Sequence, residues 1–284
     1  MNLIVQGPDV PTPDLKLLAK LTAATAIEAV TPTAFRLVAA DPAQREAVAT
    51  FCEAHRFDHG WVPAERRIGD FGLLVMDMDS TLITIECIDE IADMQGLKPQ
   101  VSAITEAAMR GEIDFAESLR RRVSLLEGLD QSALQRVYDE RLQLSPGAET
   151  LLAAARAAGI KTLLVSGGFT FFTERLKPRL GLDYTAANTL DVAAGKLTGR
   201  VLGGIVDAQG KADWLKRVRS ELGLVKDQVI AMGDGANDLK MMAEAGVSIA
   251  YRAKPVVRAQ ASYALNQVGL DGVVPLLGAA TQNG

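Results

Sequence analysis

From Phe71 onward, hydrophobic residues occur in short continuous runs, and each run is followed by a stretch with helical spacing of apolar positions. The runs predict buried strands at 72–76, 160–165, 184–187, 228–232 and 247–250. Strands that alternate with helices form a parallel sheet covered by helices. We therefore predict an α/β fold with a Rossmann-like parallel-sheet core for residues 71–284.

Residues 1–70 are predicted to form a small α+β module, because strand and helix patterns alternate here within a short length. The predicted elements are strands at 2–6 and 34–39, helices at 14–24 and 43–55, and a connection with proline and glycine at 60–70. The sequence of this module contains no set of polar residues that is typical of a catalytic site. Two roles stay open, namely a packing or dimerisation module, which predicts a homodimer, and a module that senses a ligand.

A third region lies directly after the first core strand and interrupts the alternation of strands and helices. It shows only helical spacing, with predicted helices at 84–95, 98–111, 115–127 and 131–142, before a core helix at 147–158. An insertion of this size at the end of a core strand is typical of a lid over a site. We predict an inserted helical cap at about 83–145.

Composition narrows the function classes. The 284 residues carry a formal net charge of −5, which argues against a general nucleic-acid-binding protein. No apolar run approaches the ~18 residues of a membrane helix, and the N-terminus lacks the pattern of a secretory signal. The two cysteines are too few for a disulfide framework. We expect a cytoplasmic protein with neither a nucleic-acid nor a membrane partner.

Two carboxylates, Asp77 and Asp79, follow the first core strand. While the backbone stays extended, both side chains leave it on the same side, so they repel each other unless a cation or a shared proton lies between them. Ligands of open parallel sheets gather beyond the carboxyl ends of the strands, where Asp77 is predicted to lie. The alternative is that these residues only cap the next helix.

Further polar groups follow other core strands. Ser166 and Gly167 offer hydroxyl and N–H donors to an oxyanion, and Asp234 and Asp238 are spaced to share one face of a starting helix. Taken singly, each is typical of a turn or a cap, and Lys211 of a solvated lysine. Together they predict one crevice with oxygen ligands for Mg²⁺, a carboxylate nucleophile and donors for a phosphoryl group. No nucleotide-binding glycine motif is present.

The strings DMDST (77–81), SGG (166–168) and GDGAND (233–238), together with Lys211, resemble the four motifs of the haloacid dehalogenase-like phosphatases. Glu86 and the stretch 114–123 resemble the phosphoserine phosphatases of that family. The resemblance spans residues 71 to about 266. The element order of residues 1–70 is similar to that of amino-acid-binding ACT-type modules, although no motif supports this similarity.

The resemblance implies magnesium-dependent hydrolysis of O-phosphoserine through an aspartyl-phosphate, the last step of serine biosynthesis. It implies that Asp77 is the nucleophile and that Asp79 is the general acid and then the base. Mg²⁺ would be held by Asp77, the main-chain carbonyl of Asp79, and Asp234. The implied phosphoryl-binding groups are Ser166, Gly167, Lys211 and Asn237, while Asp238 is implied to orient Lys211 or metal-bound water.

Arg122 projects from an otherwise apolar helical face, formed by positions 115, 119, 122, 123 and 126. An unpaired guanidinium is costly there, and a carboxylate is its natural partner. Glu86 is available for an ammonium group, and Phe115 for a wall of the pocket, so a zwitterionic phosphoester such as O-phosphoserine fits. Three alternatives stay open: an ion pair between Glu86 and Arg122, a phosphatase or phosphotransferase for another small phosphoester, and a non-catalytic amino-acid sensor.

Overall fold

Two β-sheets organise the residues that the computed structural model describes, which are 1–278 without the side chain of Met109. The smaller sheet and its helices comprise β1 (Asn2–Gln6), α1 (Thr12–Leu21), β2 (Ala26–Thr31), β3 (Ala34–Val38), α2 (Arg45–His55) and β4 (Asp58–Val62). The predicted end of the α/β domain at residue 284 lies outside the described residues. Within the described range, no helix combines the length and the apolar character that a membrane crossing demands.

The larger sheet and the helices around it follow from residue 73 onward. They comprise β5 (Leu73–Met76), α3 (Cys87–Asp93), α4 (Lys98–Met109), α5 (Phe115–Ser124), α6 (Ser132–Glu140), α7 (Ala148–Ala157), β6 (Lys161–Phe169), α8 (Thr170–Leu180), β7 (Tyr184–Ala193), β8 (Lys196–Leu202), α9 (Ala208–Glu221), β9 (Val229–Gly233), α10 (Leu239–Met242), β10 (Val247–Tyr251), α11 (Pro255–Arg258), β11 (Tyr263–Leu265) and α12 (Val273–Leu276). Shorter turns span Pro42–Gln44, Ile68–Asp70, Met78–Leu82, Lys226–Gln228, Ala236–Asp238 and Leu270–Gly272.

The smaller sheet is antiparallel, with the strand order β2-β3-β1-β4. The predicted N-terminal α+β module is therefore present, with the β-α-β-β-α-β order of a split βαβ motif. Successive side chains of a strand point to opposite faces. Leu3 and Val5 of β1 pack with residues of α1 and α2 into the module's own core. Ile4 and Val62 instead join the core of the larger sheet, so the module packs directly on the α/β domain.

The larger sheet confirms the predicted α/β fold. Its order is β11-β10-β9-β5-β6-β7-β8, and the paired strands are parallel except for the antiparallel hairpin of β7 and β8. The fully buried strand β5 lies between β9 and β6, and Met76 is in register with Met232 and Leu164. The chain segments that follow these three strands therefore emerge side by side.

The helices α3 to α6 lie in the insertion between β5 and α7, which is the predicted cap. A β-bridge between Ile83 and Leu144 joins the two ends of the insertion. On the other side, the N–H of Gly128 donates to the carbonyl of Leu197 at 2.8 Å, and the N–H of Leu197 donates to the carbonyl of Leu129 at 2.8 Å. The β7–β8 hairpin thus supports the cap from the core.

Four strands, β2, β4, β8 and β11, are missing from the predicted set. All four lie at sheet edges, where a strand is covered on fewer sides and needs no continuous apolar run. The prediction of a connection over 60–70 is wrong for 60–62, which belong to β4. Gly60 allows this strand to approach the core, because an added Cβ there would lie 2.5 Å from the side chain of Leu276.

Candidate active site

The crevice at the carboxyl ends of β5, β6 and β9 brings together the polar residues that follow these strands. Asp77 comes directly after β5, Ser166 lies near the end of β6, and Asp234 comes directly after β9. Lys211 reaches the same place from the first turn of α9. This convergence at one edge of the sheet is the arrangement that the sequence predicted.

A buried lysine lies between two buried carboxylates. Lys211, which is 1% exposed, places Nζ 2.7 Å from Oδ1 of Asp77 and 2.7 Å from Oδ1 of Asp238. Burial lowers the pKa of Lys211, but the charges of Asp238 and Asp77 outweigh burial and raise this pKa above its ordinary value. Burial and the charge of Asp238 raise the pKa of Asp77, while Lys211 partly opposes them. The ammonium therefore holds two carboxylates that would otherwise repel each other.

Asp238 organises the loop after β9. Its Oδ1 accepts the hydrogen bond from Lys211, and its Oδ2 accepts the backbone N–H groups of Asp234 at 3.1 Å and Gly235 at 3.0 Å. An added Cβ at Gly233 would lie 2.3 Å from this carboxylate, so the close approach requires glycine. Both oxygens thus serve to position Lys211 and the loop that carries Asp234.

Three carboxylates are close enough to share one cation. Oxygen atoms of Asp77, Asp234 and Asp238 all lie within 4.8 Å of one another, and Thr81 donates a hydrogen bond to Asp234 at 3.1 Å. Burial and the charges of Asp238 and Glu86 raise the pKa of Asp234 to about 6. Carboxylate oxygens are ligands that Mg²⁺ prefers, and a bound cation would relieve the repulsion between these carboxylates. The donor set therefore fits this ion. The carboxylate of Asp79 is not in this group.

Asp79 lies one turn beyond the strand end. Its Oδ1 is buried and has no hydrogen-bond partner in the described structure. Burial and the charge of Glu86 raise the pKa of Asp79 to about 8, although Cys87 and Lys211 act in the opposite direction. The next residue, Ser80, has a left-handed φ of 55°, a conformation that costs energy for a non-glycine residue. Burial and the nearby charge of Glu86 thus keep Asp79 protonated near neutral pH.

The Asp79→Asn variant is expected to stabilise the metal-free protein increasingly as the pH rises from 5 to 8. The unfolded chain loses this proton near pH 4, whereas the folded chain keeps it up to about pH 8. The folded state therefore binds more protons in this range, and the free energy of unfolding falls with rising pH. Asparagine removes that dependence. Urea titrations with a chelator measure the difference between the two proteins at each pH.

The exposed residue Asp139 on α6 provides a control for this experiment. The Asp139→Asn variant is expected to show no such growth of stability with pH. A constant difference between Asp79→Asn and the unsubstituted protein from pH 5 to 9 would contradict the raised pKa.

The last residues of β6, where the pairing with β7 is irregular between Val165 and Phe169, hold donors around Ser166, which is 1% exposed. The Oγ of Ser166 accepts the N–H of Gly168 at 2.8 Å. Asn188, which the sequence analysis missed, donates from Nδ2 to the carbonyl of Gly167 at 2.7 Å and accepts the N–H of Val206 at 2.8 Å. This buried amide joins the end of β6, beside Ser166, to the segment that leads into α9 and Lys211. No local motif marks Asn188, because its partners lie 18 and 21 residues away.

The cap contributes residues above this end of β6. Phe115 lies over Gly167, where an added Cβ would be 2.8 Å from the ring Cζ. Arg122 donates weakly from Nε to the carbonyl of Ser118 at 3.4 Å. Burial lowers the pKa of Arg122, while the charges of Asp89, Glu86 and Asp79 raise it. The guanidinium therefore lies within the electrostatic reach of the crevice.

Glu86 does not pair with Arg122. Its Oε1 accepts the hydroxyl of Ser80 at 2.6 Å, and no ion pair within 4.0 Å joins Glu86 to Arg122 in the described range. The alternative of a structural ion pair between these two residues is therefore wrong. Asn237 lies in the turn 236–238 beside Gly235 and makes no side-chain hydrogen bond within residues 1–278.

Comparisons with known proteins agree with this geometry. Residues 74–243 match the family described as haloacid dehalogenase-like hydrolase, and residues 3–48 match a family described as a domain of unknown function. A phosphoserine phosphatase of Polaromonas sp. is 55% identical over 216 residues, which cover 74% of this chain and 92% of the relative.

Two solved structures extend the similarity to the fold. An unliganded probable phosphoserine phosphatase from Vibrio cholerae has a TM-score of 0.86 at 40% identity, over 98% of this chain and 86% of that chain. A phospho-aspartyl intermediate analogue of phosphoserine phosphatase has a TM-score of 0.68 at 37% identity, over 72% and 98%. The first of these matches covers nearly the whole chain and so includes the N-terminal module.

Proposed function

Because the chain belongs to the phosphoserine phosphatases of the haloacid dehalogenase-like hydrolase family, we propose that it hydrolyses O-phosphoserine to serine and phosphate as the last step of serine biosynthesis. The observation that carries this proposal is the meeting of Asp77, Lys211, Asp79 and Ser166 at one crevice beneath the cap. A phosphate monoester hydrolyses very slowly unaided, so catalysis consists mainly of positioning and charge neutralisation.

In the first step, a carboxylate oxygen of Asp77 attacks phosphorus, and the bond from phosphorus to the serine oxygen breaks. The hydrogen bonds from Lys211 and the N–H of Met78, both 2.7 Å from Oδ1, orient the attacking carboxylate. Asp79 gives its proton to the leaving serine oxygen. Because its pKa is about 8, Asp79 still carries this proton near neutral pH.

In the second step, the ionised Asp79 takes a proton from water, whose oxygen attacks the phosphorus of the aspartyl-phosphate. The bond between phosphorus and Asp77 breaks, which releases phosphate and regenerates both carboxyl groups. Ser166, the N–H of Gly167, Asn237 and Lys211 hold the phosphoryl oxygens in both steps. One residue thus serves as acid and then as base.

The metal site of this proposal consists of Asp77, the main-chain carbonyl of Asp79, and Asp234. Mg²⁺ bound there supplies positive charge that reduces the repulsion between the phosphoryl group and the carboxylates. Asp238 is assigned a positioning role, because its two oxygens hold Lys211 and the backbone of Asp234 and Gly235.

Substrate choice is assigned to the cap. Arg122 faces the crevice without a carboxylate within ion-pair distance in the described structure, so it is available to the α-carboxylate of the substrate. Glu86 is available to the ammonium group, and Phe115 covers Gly167. This pairing of opposite charges selects a zwitterionic phosphoester.

Phosphate release tests the proposed function. O-phosphoserine, O-phosphothreonine, a sugar phosphate and a nucleotide are assayed with Mg²⁺, with a chelator, and with added alcohol acceptors. We expect the highest kcat/KM with O-phosphoserine and loss of the activity with the chelator. Higher activity on another ester would contradict the substrate, transfer to an alcohol would indicate a phosphotransferase, and no release from any ester would leave a non-catalytic sensor.

The Arg122→Ala variant is expected to raise KM for O-phosphoserine by about tenfold or more, since it removes one charge-assisted pair. For p-nitrophenyl phosphate, which has no carboxylate, kcat/KM is expected to change less than about threefold. Steady-state kinetics on both substrates measures this split. The neighbouring Arg121→Ala variant is the control, because Arg121 pairs with Glu117 at 2.7 Å on the exposed face. Equal losses on both substrates would contradict the role of Arg122.

A further inference from the structure

A cavity of about 790 Å³ lies between the N-terminal module and the α/β domain, away from the proposed active site. The module contributes residues of α2 and β4 to its wall, and the α/β domain contributes α11, β11 and the residues that follow β11. Its volume is within the range of small-molecule sites, which are clefts of ~300–1,000 Å³. No residue of this wall has a part in the proposed reaction.

Hydrogen bonds connect the N-terminal module to the α/β domain at the cavity. The buried carboxylate of Asp58 accepts the backbone N–H groups of Asn266 and Gln267 at 2.8 Å and of Val268 at 3.1 Å. The hydroxyl of Tyr263 donates to the carbonyl of Trp61 at 3.0 Å. These bonds join the two parts of the chain at residues that line the cavity.

The wall carries an excess of uncompensated positive charge. It contains Arg45, Arg56 and Arg258, and none of these forms an ion pair within 4.0 Å in the described part of the chain. The acidic residues of the wall are Asp58, which the three backbone donors already satisfy, and Glu53. Three exposed arginines on the wall of one cavity, none with a carboxylate within ion-pair distance in the described residues, favour an anion with several oxygen atoms.

Trp61 provides an independent observation. This residue lines the cavity and is 7% exposed, and its indole Nε1 has no hydrogen-bond partner in the described structure. An orphaned buried donor is rare in proteins and calls for a missing acceptor. The guanidinium of Arg45 lies 5.2 Å from the centre of the same ring, in contact with the aromatic face. An indole with an unpaired N–H and a guanidinium without a carboxylate partner thus lie together at the wall of the cavity.

We propose that this cavity binds a small polyanion, with carboxylate or phosphate groups held by Arg45, Arg56 and Arg258 beside Trp61. The bound anion contacts both parts of the chain and so stabilises their junction. This site is separate from the phosphoserine-binding crevice, and its existence does not depend on the proposed reaction.

Tryptophan fluorescence tests the proposal directly. The chain contains two tryptophans, so the Trp214→Phe variant leaves Trp61 as the single reporter. This protein is titrated at low salt with tricarballylate, a polycarboxylate, and with pyrophosphate, a phosphate polyanion, and both titrations are repeated by calorimetry. We expect saturable binding of at least one probe with a change in Trp61 emission. The arm that binds more tightly identifies the class of oxyanion.

Charge variants in the same background show whether the arginines hold the probe. The double variant Arg56→Ala with Arg258→Ala is expected to weaken binding at least tenfold, because it removes two of the three guanidinium groups proposed to hold the anion. In the described structure, Arg45 rather than these two residues lies over the ring of Trp61, so the reporter keeps its surroundings. The matched control is Arg217→Ala, which removes an exposed arginine on α9 outside the cavity. Thermal unfolding confirms that each variant folds. No saturable binding by either method up to 10 mM (roughly the weakest affinity of interest), or equal affinity in the double variant and the control, would overturn the proposal.

Discussion

The Asp77→Asn variant is expected to release phosphate from O-phosphoserine at least about 10⁴-fold more slowly than the unsubstituted protein, since losing a catalytic nucleophile has effects of this size. An amide cannot attack phosphorus to form the acyl-phosphate. The substitution keeps the shape of a side chain whose Oδ1 accepts hydrogen bonds from Lys211 and the N–H of Met78. The protein should therefore fold normally. Single-turnover assays with acid trapping measure both phosphate release and the covalent phosphoryl-protein.

Two further measurements make this result specific. The Asp139→Asn variant changes an exposed carboxylate on α6 and should retain full activity. Circular dichroism should give the same spectrum for all three proteins. Loss of a nucleophile leaves far less than about a tenth of the activity. If Asp77→Asn kept more than that, the assignment of Asp77 would fail, even if O-phosphoserine remained the best substrate.

The Lys211→Met variant is expected to lose about 3–5 kcal/mol of unfolding free energy at pH 8 in the absence of metal, because it leaves two buried carboxylates without their shared cation. Lys211 lies 2.7 Å from both Asp77 and Asp238. The loss should shrink as the pH falls from 8 to 5. Burial and Asp238 already raise the pKa of Asp77, and without the lysine this carboxyl takes up a proton more readily. Urea unfolding at each pH measures the trend.

Activity should fall in the same variant by about 10³-fold, because the charge that faces the phosphoryl group is gone. The Lys216→Met variant is the matched control, since Lys216 lies on the same helix and pairs at 2.8 Å with Asp213 at the surface. Surface pairs of this kind contribute little, so neither stability nor activity should change much. A pH-independent loss in Lys211→Met, no larger than that of Lys216→Met, would show that the lysine does not hold the carboxylates together.

The central strands were predictable because they are buried on both faces. The largely apolar runs of β5, β9 and β10 are typical of interior strands of a parallel sheet. The edge strands β2, β4, β8 and β11 lacked this signal. Gly60 of β4 even suggested a turn, because its requirement for close approach to Leu276 is invisible without the partner.

The residues of the proposed chemistry were predictable for a related reason. A carboxylate or hydroxyl at the carboxyl end of a buried strand marks the ligand-binding edge of the sheet, so Asp77, Ser166 and Asp234 stood out from local sequence. Lys211 stood out only through its place in the family pattern. Its burial between Asp77 and Asp238 became apparent in the folded chain.

Local periodicity and strand ends were therefore enough to predict the sheet core, the inserted helices and the polar groups at the strand ends. Which of these groups touch depends on how the chain folds. Asn188 joins Gly167 to Val206, Thr81 contacts Asp234 across 153 residues, and Asp58 fastens the N-terminal module to residues 266–268. Such contacts join distant parts of the chain, and their energy arises from the geometry of packing, which no local pattern of residues encodes.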